Sequence, residues 1–81
     1  MAEEIEWMRL TAEELRARVV DALARLPDRQ REVVVLRIID GERWGAIAET
    51  LDLSEGTAKT HLRRALERLR ALLAPLAEVK P

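Results

Sequence analysis

Apolar side chains recur along this chain at intervals of three and four. Leu15, Val19, Ala22, Leu23 and Leu26 mark one face, and Trp44, Ile47, Ala48 and Leu51 a second. Ala58, Leu62, Ala65, Leu66, Leu69, Leu72 and Leu73 mark a third. That spacing belongs to helices that turn one side towards a core. Breakers set their limits. Thr11 and Glu14 form a capping-box pattern, which predicts a first helix from about 12 to 26. Pro27 closes it and suits the first turn of a second helix, which runs to about Asp40, where Gly41 offers a left-handed stop.

That second segment contains Val33, Val34, Val35, Leu36, Ile38 and Ile39, a run that propensity alone also allows as a buried strand. No second such run exists to pair with it, and the stretch from Pro27 to Gly41 has helical length. As a helix it is apolar nearly all the way round, so it is expected to be the central helix. A short third helix follows over 43–51, then a tight turn at Asp52 and Leu53. A fourth helix begins at a Ser54 cap and extends to about Leu73, before Pro75. The fold class is all-α: a small bundle of four to five helices containing a helix-turn-helix. Residues 1–10, with Ile5, Trp7, Met8 and Leu10, form a leading segment or short helix; 11–74 are the domain, and 75–81 a C-terminal tail.

Composition narrows what such a bundle does. With 81 residues there is room for one small core, and 48% hydrophobic residues are enough to build it. The absence of cysteine excludes disulfides and thiolate metal sites, and a single histidine builds no zinc site alone. The longest purely apolar run, Val33 to Leu36, is too short for a bilayer, and the first fifteen residues are acidic where an export signal is basic and then apolar. A cytoplasmic protein with no membrane partner is expected. The net charge of -1 conceals an asymmetry. Glu3, Glu4, Glu6, Glu13 and Glu14 stand against Arg9 alone over residues 1–14, whereas Lys59, Arg63, Arg64, Arg68 and Arg70 stand against Glu67 over residues 59–70. The basic end is the one fitted to an anionic partner.

A short helix, a three-residue turn and a longer helix from a serine cap follow the helix-turn-helix plan. Ala48 is the expected close-crossing residue, Asp52 has to accept the left-handed geometry normally given to glycine, and Leu53 plugs the core. Opposite the leucine stripe of the fourth helix lie Gly56, Thr60, Arg63, Arg64 and Glu67, with Thr57, Lys59 and Arg70 at the flanks. When such a helix enters a major groove its first turns meet base edges, so Glu55, Gly56 and Thr60 are candidate base readers. Arg63 reaches either bases or phosphates. Lys59 and Arg64 lie beside the groove walls, where long cations contact phosphates, and Thr57 adds a hydroxyl. The plain alternative is that these charges only solvate an exposed face; the turn that precedes them favours the binding reading.

The stretch from Leu26 to Leu72, LPDRQREVVVLRIIDGERWGAIAETLDLSEGTAKTHLRRALERLRAL, resembles region 4 of sigma-70-type transcription initiation factors, especially the extracytoplasmic-function group. LPDRQREV followed by VLR, the glycine after the second helix, AIAETL, SEGTAKTHL and RALERLR carry the resemblance together. It implies that the last helix recognises a double-stranded promoter -35 element and that the domain docks on the β-subunit flap of RNA polymerase. An anti-sigma factor is a further expected partner, for the apolar surplus of the second helix. By position Glu55, Gly56 and Thr60 fall at base-facing places, and Thr57, Lys59 and Arg64 at backbone-facing ones. Arg43 and Trp44 fall near a phosphate, although Trp44 also belongs to the apolar side and suits the core. Three residues depart from the pattern: Gly45 replaces a larger helix former, at a cost of up to about 1 kcal/mol, Asp52 replaces the turn glycine, and Glu55 repels phosphates unless it reads a cytosine or favours the helix dipole. A complete sigma factor also needs region 2, which melts the -10 element. This chain is therefore expected to be either an excised domain or a stand-alone regulatory one.

Two other binding readings stay open. SEGTAKTHL also resembles the output domain of LuxR-type regulators, and the apolar surplus of the second helix, Val35 opposite Val33, suits a protein-interaction module. An enzyme is not expected. His61 has no evident acid, nucleophile or metal partner, the paired glutamates diverge by about 100° on a helix, and no phosphate-binding glycine loop is present. Neither a cofactor nor a metal is called for.

Overall fold

A computed structural model describes residues 10–77, with side chains through residue 74, and contains four α-helices, a π-helical segment that continues the second, and no strand among them. Helix α1 spans Ala12–Ala24. Its start is the expected capping box: the Thr11 hydroxyl accepts the Glu14 amide at 3.1 Å, and the Glu14 carboxylate accepts the Thr11 amide at 3.1 Å. Thr11 holds the Glu14 carboxyl below its ordinary value, first through its backbone amide and then through its hydroxyl. Leu26 and Pro27 make the turn, and α2 spans Asp28–Val34 with Pro27 as its N-cap.

The β-branched run is helical. Its second half, Val35–Ile39, widens into a π-helical turn in which the Asp40 amide donates to the Val35 carbonyl at 2.9 Å. Gly41 then takes the expected left-handed conformation, with φ 70°. The extra residue in the turn shifts the register, and Ile38 and Ile39 face outward at 55% and 62% exposure. The second helix is therefore not apolar-packed all round. Nor is it the central one: that place belongs to the last helix, α4 (Glu55–Ala77), which packs against α1, α2 and α3.

Helix α3 spans Trp44–Leu51 and stops at Asp52, whose φ of 56° and ψ of 51° are left-handed. The Asp52 amide donates to the Glu49 carbonyl and the Leu53 amide to the Ala48 carbonyl at 2.9 Å, the bond pair of a Schellman stop. An aspartate tolerates this geometry, so the turn forms without its usual glycine. Helix α4 runs past Pro75, beyond the expected end near Leu73. A proline's fixed φ is helical and it forfeits one amide donor, a loss that this chain absorbs near its last turn. The leading segment 1–10 lies, except for Leu10, outside the described residues.

Two apolar clusters hold the bundle. Val33, Ile47, Leu51 and Ala58 form the first, with Leu36, Trp44 and Leu53 against it. Leu26, Val34 and Ala65 form the second, with Leu23 and Leu69 against it, and Leu62 touches both. The small residues that α4 buries fully are Ala58 and Ala65, whereas Ala48, the expected crossing residue of α3, is only half-buried. Val19, Leu66 and Leu72, expected in apolar faces, are 36%, 41% and 36% exposed. A stripe is covered only over the arc its neighbours reach, and these positions lie beyond it.

Candidate nucleic-acid interface

The turn between α3 and α4 places the start of α4 on the surface. Ser54 caps it: its hydroxyl accepts the Thr57 amide at 3.0 Å and donates to the Thr57 hydroxyl oxygen at 2.8 Å. Thr57 is thereby held in one orientation. With Ala58, Leu62 and Ala65 turned inward, the opposite face leaves Glu55, Gly56, Thr57, Lys59, Arg63 and Arg64 exposed and Thr60 half-buried. The Thr60 hydroxyl donates to the Gly56 carbonyl at 3.1 Å. Its proton is used within the helix, so what Thr60 presents outward is an oxygen acceptor and a methyl group.

The cations on this face are lightly paired. Arg63 approaches Glu67 at 3.7 Å, with both side chains 63% exposed, and such a surface pair contributes little. Among the described residues, Lys59, Arg64 and Arg43 form no ion pair with a carboxylate. Gly56 is not required by packing: a Cβ there meets only the Ser54 hydroxyl oxygen, at 4.0 Å. Glu55 leans across to the first turn of α3, where a Cβ on Gly45 would lie 3.8 Å from its carboxylate oxygen. The two departures at Gly45 and Glu55 thus face each other, and Glu55 sits near two helix N-termini.

Trp44 lies where the core meets the surface. It is half-buried against the first cluster, and it carries two cations: the Arg37 guanidinium carbon lies 4.7 Å from its ring centroid and the Lys59 ammonium 5.9 Å. Arg37 is not among the residues that the sequence pattern assigns to the site. No periodicity connects a residue of one helix to a ring beyond the following loop, and only its position just before the Ile38–Gly41 exit hints at the contact. Arg43 is the exposed N-cap of α3 and makes no side-chain capping bond.

On the α2–α3 side, Arg31, Glu32, Val35, Leu36, Thr50 and Leu51 line an open, mainly apolar groove of about 350 Å³. The His61 Nδ1 atom is buried without a hydrogen-bond partner, and no cluster of metal-ligating side chains occurs among the described residues. No helix described is long and apolar enough to cross a membrane.

Residues 16–69 match the family model described as Sigma-70, region 4. The chain is 38% identical over 63 residues to the ECF RNA polymerase sigma factor SigW of Bacillus subtilis, covering 78% of this chain and 34% of that protein. It is 44% identical over 50 residues to the ECF RNA polymerase sigma factor ShbA of Streptomyces griseus, covering 62% of this chain and 26% of that one. Among solved structures, a chain of an RsbN-BldN complex superposes with a TM-score of 0.69 at 35% identity, over 82% of this chain and 48% of its own length. The chain thus spans well under half the length of the curated relatives it matches.

Proposed function

The chain belongs to the sigma-70 region 4 family, of the extracytoplasmic-function type, and from that premise we propose that it recognises a promoter -35 element through α4 and docks on the RNA polymerase β-subunit flap. The family is one of DNA-binding transcription factor domains rather than of enzymes. One observation carries the proposal: the left-handed stop at Asp52 and the Ser54 cap deliver a helix whose outward face bears cations without strong carboxylate partners. In this reading Glu55, Gly56, Thr60 and Arg63 face bases. Thr60 contributes an acceptor or its methyl, the bare Gly56 backbone allows close approach, and Glu55 either accepts from a cytosine amino group or stays over α3. Arg43, Trp44, Thr57, Lys59 and Arg64 face phosphates and set the register.

The open groove on α2 and α3 offers the apolar seat that a polymerase helix or an anti-sigma factor needs, on a side built from residues other than the base readers. The protein works in the cytoplasm, where both partners are found. A duplex selected from a randomised pool tests the DNA half, with a scrambled duplex as control and two salt concentrations. Arg64→Ala weakens binding to both duplexes and lowers the salt slope by about one. Thr60→Ala relaxes discrimination at one base pair by about 1 to 3 kcal/mol. Equal loss on every sequence for Thr60→Ala removes its base-reading role, and no saturable binding at either salt favours the protein-interaction module.

A further inference from the structure

Two cations share the Trp44 ring, and no ion pair links either to a carboxylate among the described residues. Arg37 is the half-buried partner in this arrangement. It leaves α2 within the π-helical turn, lies 4.7 Å from the ring centroid, and donates from Nη1 to the Glu42 carbonyl at 2.9 Å. Its guanidinium is thus held by a ring and by the backbone of the α2–α3 loop. The ring in turn packs on the cluster of Val33, Ile47, Leu51 and Ala58 but stays half-buried, so the core covers only part of it and the rest meets the cations. Lys59 is the exposed half, 5.9 Å from the same centroid on the face of α4 that carries the candidate contacts.

A free lysine has a flexible stem whose ordering opposes any contact it makes. An aromatic face that attracts the ammonium limits that freedom before a ligand arrives. Two like charges beside one ring repel each other, and an anion placed near them relieves the repulsion. We propose that Arg37 is a positioning residue for DNA: it locks the Trp44 ring, and the ring holds the Lys59 ammonium in place for a phosphate. Arg37 acts through Trp44, and Lys59 makes the contact. This inference rests on the DNA-binding reading above.

The test uses the full chain carrying Trp7→Phe, which leaves Trp44 as its one indole, and a short mixed-sequence duplex at two salt concentrations. Lys59→Met weakens binding and lowers the salt slope by about one. Arg37→Met weakens binding about two- to five-fold, the scale of an exposed cation on an aromatic face. It adds nothing on top of Lys59→Met, and it changes the Trp44 emission response to the duplex. Arg37→Lys keeps a cation at the ring and restores binding; should Arg37→Met fail to fold, Arg37→Gln, which removes the cation and keeps a donor for the Glu42 carbonyl, takes its place with the same expected loss. Full affinity in Arg37→Met, additive losses in the double variant, or a loss in Arg37→Lys as large as that in Lys59→Met overturns the inference alone. A parent chain that binds no duplex overturns the DNA-binding reading, and this inference with it.

Discussion

Along α4 the same apolar stripe meets two different environments. In its first half Ala58 and Ala65 are fully buried and Leu62 touches both clusters, because α2 and α3 close over Ala58, and Val34 of α2 with Leu23 and Leu26 closes over Ala65. Among the residues beyond Ala65, Leu66 and Leu72 stay 41% and 36% exposed, and α1, which also packs on α4, leaves Val19 and Val20 at 36% and 58%. Burial is decided by the number of neighbours around an arc as much as by the residue placed there. Small side chains admit two helices closely, while large ones facing a single partner remain half in water. The consequence is a rigid end, which holds the turn and the candidate DNA contacts, and a looser end whose apolar surface is incompletely covered.

Substitutions in the two ends sharpen this contrast. The largest effect is expected at Ile47, which is fully buried: Ile47→Ala costs about 2 to 5 kcal/mol, much of the stability of a domain this small. Urea unfolding followed by circular dichroism measures it. The matched change at the other end, Val20→Ala, stays within about 0.5 kcal/mol. If it costs as much as Ile47→Ala, the looser end is packed in solution and the contrast fails. Next in size, Ser54→Ala removes the cap of α4 and costs about 1 kcal/mol, and it weakens DNA binding because the first turn frays. Unchanged affinity in a destabilised Ser54→Ala chain would show that this turn does not need preorganisation.

The smallest effect is a pH dependence at the α1 end. The folded Glu14 carboxyl is held below its ordinary value by Thr11, so its contribution is present above the unfolded value and is lost as pH falls through the folded one. Glutamine at this place still accepts the Thr11 amide but does not titrate. The stability difference between the parent and Glu14→Gln is therefore greatest near neutral pH and shrinks on acidification. A difference that stays constant, measured by unfolding at several pH values, removes the charge from the account of this cap.

Local features are legible in the residue order. The capping box at Thr11 and Glu14, the left-handed Gly41, the Asp52 turn and the Ser54 cap all depend on residues within a few positions of one another. So does the exposed row of Gly56, Lys59, Arg63 and Arg64, which follows from helical spacing once the stripe is recognised. Ile38 and Ile39 depart from the expected pattern because one extra residue in a π-helical turn changes the register, and no residue type announces it. Pro75 fails to end its helix because a missing donor near the last turn is cheap. Arg37 escapes the pattern because its partner, Trp44, lies beyond a loop.

The order of the chain's residues was enough to specify four helices, their caps and the face of α4 that carries charge, because backbone geometry ties each of these to short-range spacing. It also carried the resemblance to sigma region 4, which the family match bears out. Tertiary packing alone settled which apolar residues are covered, which helix is central and which side chains from different helices meet. Periodicity says that a helix has an apolar side; how much of that side is dry depends on how many neighbours reach it. The two cations on Trp44 belong to that second category, since they come from helices on either side of the ring and have no common spacing.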